Sequence, residues 1–323
     1  MGDIRPRALH LELDVYPQDA VDRLREAMEL TDGSALHGDE VAAALATGGH
    51  EIVFVRLGVR IDAGTIAGAP TLRLVVTPTT GLDHLDLASL ASSGVQVISL
   101  RDARAAIESV HATAEHTFAL LLACVRGIPA AHHDVAAGAW RRQRFLGTEL
   151  AGRTIGIVGH GRLGRRVATY ARAFGMEVLV HDVAEASLTG LPEGVTVAGA
   201  DDLLRAADVV SLHLPLDVDT RGWLDARRIA LLKQDAVVIN TARGELLDEA
   251  ALARALRDGR LGGVAVDVIA DDANWGESVG ESPLLELLGT GANLVVTPHI
   301  GGWARDAVAR TRRLVTELAL KSL

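Results

Sequence analysis

The sequence predicts an α/β protein with parallel sheets, divided into two domains. Short runs rich in Val, Ile and Leu recur along the 323 residues, and segments with helical spacing separate most of them. The runs are almost continuously apolar, which is typical of strands covered by helices on both faces. Strand and helix patterns that alternate favour parallel sheets. A chain of this length is also long enough for two hydrophobic cores.

The predicted strands fall into two groups. The first group comprises residues 8–14, 51–57, 72–77 and 95–99. The second group comprises residues 154–159, 176–182, 209–215, 236–240, 263–268 and 293–297. Six strands are enough for a complete doubly wound sheet, so the second group predicts a larger domain of that kind.

Helix patterns set the expected domain boundaries. The segment 248–259 begins with an acidic turn and ends at Gly259, as a helix does. One long apolar helix is expected over 109–128, and a final helix follows residue 302. We expect that last helix to return to the first domain. The sequence therefore predicts a discontinuous domain, 1–107 with 300–323, into which a domain over 108–299 is inserted.

Composition excludes several classes of protein. A net charge of −10 argues against a nucleic-acid partner, because phosphates require a basic surface. The single cysteine, Cys124, cannot form a disulfide within the chain and lies in the apolar run FALLLACV, where a core position is favoured over a nucleophile. The first residues lack the apolar region of a signal peptide, and the apolar runs are too short to span a bilayer. We expect a soluble, cytoplasmic protein with no membrane partner.

The stretch TIGIVGHGRLGRRVATYARAFG has glycines at 159, 161 and 164 between a predicted strand and a predicted helix. This is the context that a dinucleotide-binding fingerprint requires. Gly159 permits the tight turn, Gly161 lets the backbone approach a pyrophosphate, and Gly164 lets helix and sheet pack closely. The helix N-terminus attracts phosphates, and Arg162 adds a positive charge there.

Asp182 ends the next predicted strand, where a carboxylate accepts hydrogen bonds from a ribose diol. The same carboxylate repels a 2′-phosphate, and no Arg or Lys follows it closely. The sequence therefore predicts a Rossmann-like domain that binds NAD rather than NADP. The alternative is a strand-end Asp that only caps a turn.

Polar residues that suit reduction of a 2-oxo acid follow the later strands. Such a reaction needs a cation for the carboxylate, an acid for the developing alkoxide, and a group that keeps this acid charged. Arg243 follows the strand at 236–240, and His299 follows the strand at 293–297. Asp267, Asp271 and Asp272 follow the strand between them. No metal-site spacing such as H-E-x-x-H is present.

Several separated motifs bear a family resemblance. They are TTGLDHLDL, ATAEHTFALLLA, ELAGRTIGIVGHGRLGRRVATYARAFGMEVLVHD, VSLHLPLDVDTRG, VVINTARGELLDE, GVAVDV and TPHIGG. On these motifs the chain resembles the D-isomer-specific 2-hydroxyacid dehydrogenases, and among them phosphoglycerate dehydrogenase-like members without a C-terminal regulatory domain. The resemblance implies two Rossmann-like or flavodoxin-like domains, with the NAD-binding domain inserted in the substrate domain. It also implies hinges near 106–112 and 299–303, and a homodimer with the helix near 112–128 at its interface.

The resemblance implies a role for each matching residue. Arg243 would bind the substrate carboxylate and carbonyl, and His299 would be the general acid in reduction and the base in oxidation. Asp267 would orient the nicotinamide carboxamide. The implied cofactor-binding set is Gly159, Gly161, Arg162, Leu163, Gly164, Asp182, His213, Pro215, Thr220, Thr241, Ala242, Asp267 and Gly301.

On the substrate side, backbone N–H groups around Thr80 and Gly81 would bind the carboxylate. Arg56 would reach the same cleft, although an equally good interpretation is a solvated Arg at a strand end. We also expect the substrate to be a small 2-oxo acid that carries a second anionic or polar group. His213 would face the cofactor pocket, and whether it contacts the nucleotide or the nicotinamide stays open. His160 is interpreted as a tolerated substitution, and His116 as a structural hydrogen-bonding group.

One departure from the family affects the acid partner of His299. The family has a Glu five positions after the residue that matches Asp267, whereas here that position is Asp272, in the stretch DANWGES. Its side chain is one methylene shorter, so either a backbone shift or Asp271 would have to compensate. If Asp272 stabilises the charged imidazole, Asp272→Asn should lower the alkaline limit of activity in reduction.

Two other functions compete with a dehydrogenase of hydroxy acids. Some members of this fold bind NAD as corepressors or scaffolds, and that interpretation would gain from a missing Arg243 or His299. Formate dehydrogenase, a sister enzyme, uses other polar residues in place of the acidic partner, so Asp272 argues against it. The sequence favours the hydroxyacid dehydrogenase.

Overall fold

The first five strands form one parallel sheet. The structure is a computed structural model that describes residues 5–272 and 278–323. The N-terminal strands and helices are β1 (Arg7–His10), α1 (Gln18–Ala27), β2 (Glu29–Asp32), α2 (Asp39–Gly48), β3 (Ile52–Phe54), α3 (Ala63–Gly68), β4 (Leu74–Thr77), α4 (Leu87–Ser92) and β5 (Gln96–Ser99). The strand order is β2-β1-β3-β4-β5, and every pairing is parallel.

A second parallel sheet has seven strands. Its strands and helices are α5 (Ala112–Val125), α6 (Ile128–Ala136), β6 (Thr154–Val158), α7 (Arg162–Ala173), β7 (Glu177–His181), β8 (Val195–Val197), α8 (Ala200–Ala206), β9 (Val209–Leu212), α9 (Ala226–Ile229), β10 (Ala236–Asn240), α10 (Glu249–Arg257), β11 (Leu261–Val266) and β12 (Leu294–Val296). The order is β12-β11-β10-β9-β6-β7-β8. The order reverses between β6 and β9, and ligands bind at the carboxyl ends of strands beside such a reversal.

The chain divides into two compact units. The first unit contains the described residues up to Val110, residues 278 and 279, and Trp303 to Leu323. The second unit contains His111–Asp272 and Gly280–Gly302. The prediction of an α/β fold with parallel sheets is confirmed.

The C-terminal helix α11 (Arg305–Lys321) packs within the first unit. Its buried residues Val315 and Ala319 join the core cluster that includes Leu24 and Ile98. A buried ion pair also holds the helix, because Arg312 donates from Nε to Oε2 of Glu12 over 3.0 Å. Burial raises the pKa of the Glu12 carboxyl, and the Arg312 guanidinium opposes that effect.

Three details of the predicted elements are wrong. The strand expected over 8–14 ends at His10, and residues 13–15 form a 3₁₀ turn. The edge strands β2 and β8 were not expected, so the sheets have five and seven strands rather than four and six. The long helix expected over 109–128 spans only Ala112–Val125 as α5, and Gly127, in a left-handed conformation (φ 58°), separates it from α6.

Candidate active site

Two of the three glycines after β6 are required by the fold itself. Gly159 has φ 91°, and a Cβ there would lie 2.6 Å from the carbonyl oxygen of His213. A Cβ on Gly164 would clash with the carbonyl of Gly159, so this glycine lets α7 pack onto the turn. Gly161 differs, since a Cβ there meets no described atom within 4 Å. The space over Gly161 is therefore available to a ligand.

The start of α7 is suited to a phosphate group. Gly161 is the N-cap residue and provides no side chain to accept from the first helical amides. The first N–H groups of a helix have no intrahelical partner, and the helix dipole places positive charge there. Arg162 and Leu163 are the first two residues of this helix and are partly exposed.

Asp182 lies at the carboxyl end of β7, directly beside the glycine turn. Its Oδ2 accepts from the amide of His160 over 2.7 Å, and its Oδ1 accepts from the amide of Ala184 over 2.8 Å. A carboxylate has about four acceptor sites, so each oxygen keeps capacity for a ribose hydroxyl. His160 is buried, and its Nδ1–H donates to the carbonyl of Ser187 over 2.8 Å. That histidine is therefore part of the loop structure and not merely a tolerated substitution.

The loop after β9 contains the predicted residues His213, Pro215 and Thr220. The His213 ring has Nε2 2.8 Å from Ser211 Oγ, whereas its Nδ1 is buried with no partner among the described residues. Burial lowers the pKa of His213 to about 4, so the ring is neutral at physiological pH. The Thr220 hydroxyl donates to the carbonyl of Pro215 over 2.7 Å, which closes the loop on itself.

The turn after β10 orients Arg243. The buried Asn240 side chain donates to the carbonyl of Arg243 over 2.7 Å and accepts from the amide of Ala242 over 3.0 Å. Thr241 is buried and its hydroxyl lies 2.9 Å from that of Thr117. Because Thr117 donates to the carbonyl of Thr113, Thr241 is the donor in that pair. The turn is thus held from two sides.

The sequence analysis did not identify Asn240 and Glu249, two residues that stabilise this turn and the neighbouring loop. Asn240 was taken only as the last residue of a strand, although a polar residue ending an apolar run could have marked it. A Cβ on Gly244 would clash with the backbone of Ile269 and Ala270, so the Arg243 turn lies against the loop that follows β11. Glu249 receives the amide of Ala270 at Oε1 and the Ser282 hydroxyl at Oε2, both over 2.7 Å. No sequence signal distinguished this structural role of Glu249 from a first-turn acid.

Asp267 is 1% exposed and binds the loop that follows β12. Its Oδ1 accepts from the Thr297 hydroxyl over 2.6 Å and from the amide of Ile300 over 2.8 Å, and its Oδ2 accepts from the amide of Gly301 over 2.6 Å. Burial opposes ionisation, but these bonds and His116 Nε2 at 3.2 Å leave the pKa of Asp267 lowered overall. The carboxylate therefore serves first to hold residues 297–301. Its contact with a nicotinamide stays a prediction.

The same loop presents His299 to Asp272. His299 has φ 55°, and its amide donates to the carbonyl of Asp267 over 2.8 Å. Its Nδ1 lies 2.9 Å from Oδ2 of Asp272, while Nε2 has no hydrogen-bonding partner among the described residues. Asp272, and not Asp271, therefore occupies the position beside the imidazole. Of the unusual stretch DANWGES, residues 273–277 lie outside the described residues.

In the first unit, the loop after β4 offers two unpaired amides. No acceptor within the described ranges bonds to the amide N–H of Thr80 or of Gly81. The Thr79 hydroxyl donates to the carbonyl of Gly81 over 2.7 Å and orders the loop. Both amides are thus free to bind a carboxylate, and their role in substrate binding remains a prediction.

Arg56 is bonded to the chain that follows β1 and β2. Its guanidinium donates to the carbonyls of Leu11, of Ser34 (3.0 Å) and of Leu36 (2.8 Å), and lies 3.2 Å from His37 Nδ1. These bonds use both terminal nitrogens. Its terminal donors therefore stabilise the segments that follow β1 and β2, and a role of Arg56 in substrate binding stays a prediction.

Other predicted properties concern reactive groups and membranes. Cys124 is buried, and burial raises the pKa of its thiol to about 12, which agrees with a core position and not with a nucleophile. Within residues 5–272 and 278–323, no three His, Cys, Asp or Glu side chains are placed to bind a metal ion. No described helix combines the length and the apolarity needed to cross a membrane.

The second unit fits a dinucleotide. Space lies open over Gly161, the first amides of α7 lack a side-chain cap, and Asp182 keeps acceptor capacity. The polar groups that follow β10, β11 and β12 lie at the same carboxyl edge, because these strands are parallel neighbours.

Comparison with known proteins agrees with this geometry. Residues 118–301 match the family model described as D-isomer specific 2-hydroxyacid dehydrogenase, NAD binding domain. A D-3-phosphoglycerate dehydrogenase of Mycobacterium bovis is 38% identical over 267 residues, which are 83% of this chain and 48% of that protein. The chain thus spans about half the length of this curated relative.

Two solved structures resemble the whole chain. The TT0316 protein from Thermus thermophilus is 34% identical with a TM-score of 0.80, covering 98% of this chain and 97% of its own. D-lactate dehydrogenase from Aquifex aeolicus, complexed with NAD and lactic acid, is 28% identical with a TM-score of 0.80, covering 97% and 94%. The chain belongs to the D-isomer-specific 2-hydroxyacid dehydrogenase family and contains the NAD-binding domain of that family.

Proposed function

We propose that this protein is an NAD-dependent dehydrogenase that interconverts a small D-2-hydroxy acid and its 2-oxo acid. One observation carries the proposal: His299 is bonded through Nδ1 to Asp272 over 2.9 Å, which leaves Nε2 for a substrate oxygen. The names of the relatives, D-3-phosphoglycerate dehydrogenase and D-lactate dehydrogenase, support the same reaction.

In reduction, His299 acts as the general acid. Its Nε2–H donates to the C2 carbonyl oxygen and transfers the proton as C2 gains a hydride, so the imidazolium becomes a neutral imidazole. The Asp272 carboxylate accepts from Nδ1–H, orients the ring and stabilises its charged form. In oxidation the neutral Nε2 takes the hydroxyl proton back.

Arg243 binds the substrate carboxylate and polarises the carbonyl. A guanidinium suits this task because its donors match a carboxylate in a bidentate arrangement. Asn240 and Gly244 are positioning residues, since they hold the Arg243 turn against the loop that leads to Asp272. The Thr80 and Gly81 amides are proposed as further donors to the substrate carboxylate.

The second unit would hold NAD through its glycine turn. The amides of α7 at Arg162, Leu163 and Gly164 would bind the pyrophosphate, and Asp182 would accept from the ribose diol. His213, Pro215 and Thr220, together with Thr241, Ala242, Asp267 and Gly301, remain proposed contacts of the remainder of the cofactor. When bound, NADH supplies the hydride.

The proposed substrate class is a 2-oxo acid with a second anionic group. Absorbance of NADH at 340 nm tests it, with pyruvate, hydroxypyruvate, glyoxylate, 3-phosphohydroxypyruvate, 2-oxoglutarate and phosphonopyruvate, each repeated with NADPH. We expect turnover with NADH, fastest for the dianions, and a loss of about 100-fold or more in kcat/KM in Arg243→Gln. Tight NADH binding without turnover of any of these acids would instead favour the NAD-binding corepressor or scaffold.

A homodimer is also proposed. Ile128, Val135, Trp140 and Leu146 are large apolar side chains that lie exposed on α6 and the segment after it, and Trp140 is 86% exposed. A second copy of the chain would cover this apolar surface. Light scattering of the purified protein measures the mass directly. Cytoplasmic location, suggested by a single buried cysteine, stays a prediction.

A further inference from the structure

Arg101 lies on the loop that follows β5, and its conformation is well defined by its neighbours. Its Nε donates to the carbonyl of Thr80 over 2.7 Å. Its backbone amide donates to the Ser99 hydroxyl over 3.2 Å, and the amide of Ser99 donates to Asp102 over 3.1 Å. This reciprocal pair is a capping box, which holds the start of the loop.

The rest of the Arg101 guanidinium is unengaged. Arg101 is exposed, and within the described ranges neither Nη1 nor Nη2 has a hydrogen-bonding partner or an ion pair. The neighbouring Asp102 carboxylate accepts instead from the amide and the hydroxyl of Ser99. Two donors with a full positive charge therefore remain for a ligand.

The loop that bears these donors is bonded to the loop that bears the two unpaired amides. Strands β4 and β5 are parallel neighbours with Thr77 opposite Ser99, so their following loops leave the sheet at one edge. The amide of Leu100 donates to the carbonyl of Thr79 over 3.1 Å, and Arg101 bonds to Thr80. The loop bearing the Thr80 and Gly81 amides is thus bonded to the loop bearing Arg101.

We propose that Arg101 determines specificity for substrates with a second anionic group, a carboxylate or a phosphate. This inference rests on the proposed function, in which the Thr80 and Gly81 amides bind the carboxylate that all 2-oxo acids share. A guanidinium anchored through Nε keeps a planar pair of donors for a second anion. Arg56 differs from Arg101, because its terminal donors bond to the chain itself.

Arg101→Gln tests the proposal, with Arg104→Gln as the matched control. Arg104 is also exposed on this loop but has no bond to residues 79–81. With NADH, kcat/KM for 2-oxoglutarate and 3-phosphohydroxypyruvate should fall about 10- to 100-fold in Arg101→Gln, mainly through KM, because a charged hydrogen-bonding partner is lost. The kcat/KM for glyoxylate, a monoanion, should change less than about threefold in Arg101→Gln. In Arg104→Gln the kcat/KM for every substrate should also change less than about threefold.

An equal loss for glyoxylate and the dianions would overturn the proposal, since Arg101 would then act on the shared carboxylate. Unchanged kinetics in Arg101→Gln would overturn it as well. Calorimetry with NADH present and D-malate or D-lactate as the second ligand reads affinity without turnover. Arg101→Gln should weaken the binding of D-malate and leave the binding of D-lactate unchanged. If the wild-type protein binds D-malate no more tightly than D-lactate, the inference is contradicted even if no acid is turned over.

Discussion

Asp272 shows how a shorter acid serves the His299 ring. The family resemblance implies Glu at the matching position, and an Asp side chain reaches one methylene less far. Oδ2 of Asp272 nevertheless lies 2.9 Å from Nδ1 of His299. Asp271 (φ 65°) and His299 (φ 55°) both have left-handed backbone conformations, which non-glycine residues rarely adopt. The shorter acid therefore occurs together with left-handed backbone at His299 and at Asp271, the residue before Asp272. Asp271 does not replace Asp272 beside the imidazole.

Asp272→Asn should lower activity and move its alkaline limit to lower pH in the reduction direction. The substitution removes the negative charge that lies 2.9 Å from Nδ1 of the proton-donating ring, and with it the interaction that orients the ring. We expect kcat to fall roughly 10- to 100-fold at neutral pH. The measurement is the pH profile of kcat with the best 2-oxo acid, and a profile identical to that of the wild type would exclude Asp272 from this role.

His213→Gln is the control for that profile. The pKa of His213 is lowered to about 4 by burial, so the ring is neutral throughout the assay range. A group that stays neutral in this range cannot set the alkaline limit. The position of the limit should therefore stay at the wild-type pH in His213→Gln, whatever happens to the affinity for NADH.

At the level of secondary-structure elements, the turn from β6 to α7 contains one glycine needed for packing, Gly164, and one expected to matter only for cofactor binding, Gly161. Gly161 has an ordinary φ of −74° and open space at its Cβ position, whereas Gly164 packs against the carbonyl of Gly159. Gly161→Ala should leave the free energy of unfolding within about 0.5 kcal/mol of the wild type. It should weaken NADH binding about tenfold or more, because the methyl group enters the pyrophosphate space.

In contrast to Gly161→Ala, Gly164→Ala should clearly lower the free energy of unfolding. A methyl group on Gly164 would clash with the Gly159 carbonyl in the turn before α7, and such overpacking costs about 1–3 kcal/mol. Urea unfolding of both variants, together with NADH fluorescence titration, measures the two effects. If Gly161→Ala bound NADH as the wild type does, the glycine turn would not be the pyrophosphate site.

Secondary structure was predictable where residues are buried on both faces. The strands β6, β9 and β10 read directly as apolar runs, because parallel strands inside a sheet need apolar side chains on each side. Strand β2 (ELTD) is mostly exposed at a sheet edge, so its composition resembles a loop. The end of α5 at Val125 was missed because the apolar composition continues into Ile128, the first residue of α6.

The site was predictable to the level of residue type but not of hydrogen-bond partner. Motif spacing indicated Arg243, Asp272 and His299, since each follows a strand end at the same edge of the sheet. Partners far apart in the chain carry no local signal. Asp267 bonds to the 297–301 loop 30 or more positions away, and Arg56 bonds to the carbonyl of Leu11 from 45 positions away. Asn240 and Arg101 were missed for the same reason.

At the level of the whole molecule, the two units contain different parts of the proposed dehydrogenase site. The second unit contains the dinucleotide features and the proposed catalytic residues Arg243, Asp272 and His299. The first unit contains Thr80, Gly81 and Arg101, the proposed donors to the substrate's anionic groups. Mutations in the second unit are therefore expected to change NADH binding or catalysis, and those in the first to change the choice of acid.

The role of His299 as general acid is tested by measuring both NADH affinity and turnover in His299→Asn. Asn tolerates the left-handed backbone at this position, so the loop should be preserved. We expect a Kd for NADH within about twofold of the wild type and a kcat lower by about 10²- to 10⁴-fold, because only the proton donor is removed. A kcat within about threefold of the wild type, with the same NADH affinity, would contradict the assignment of His299 as the general acid.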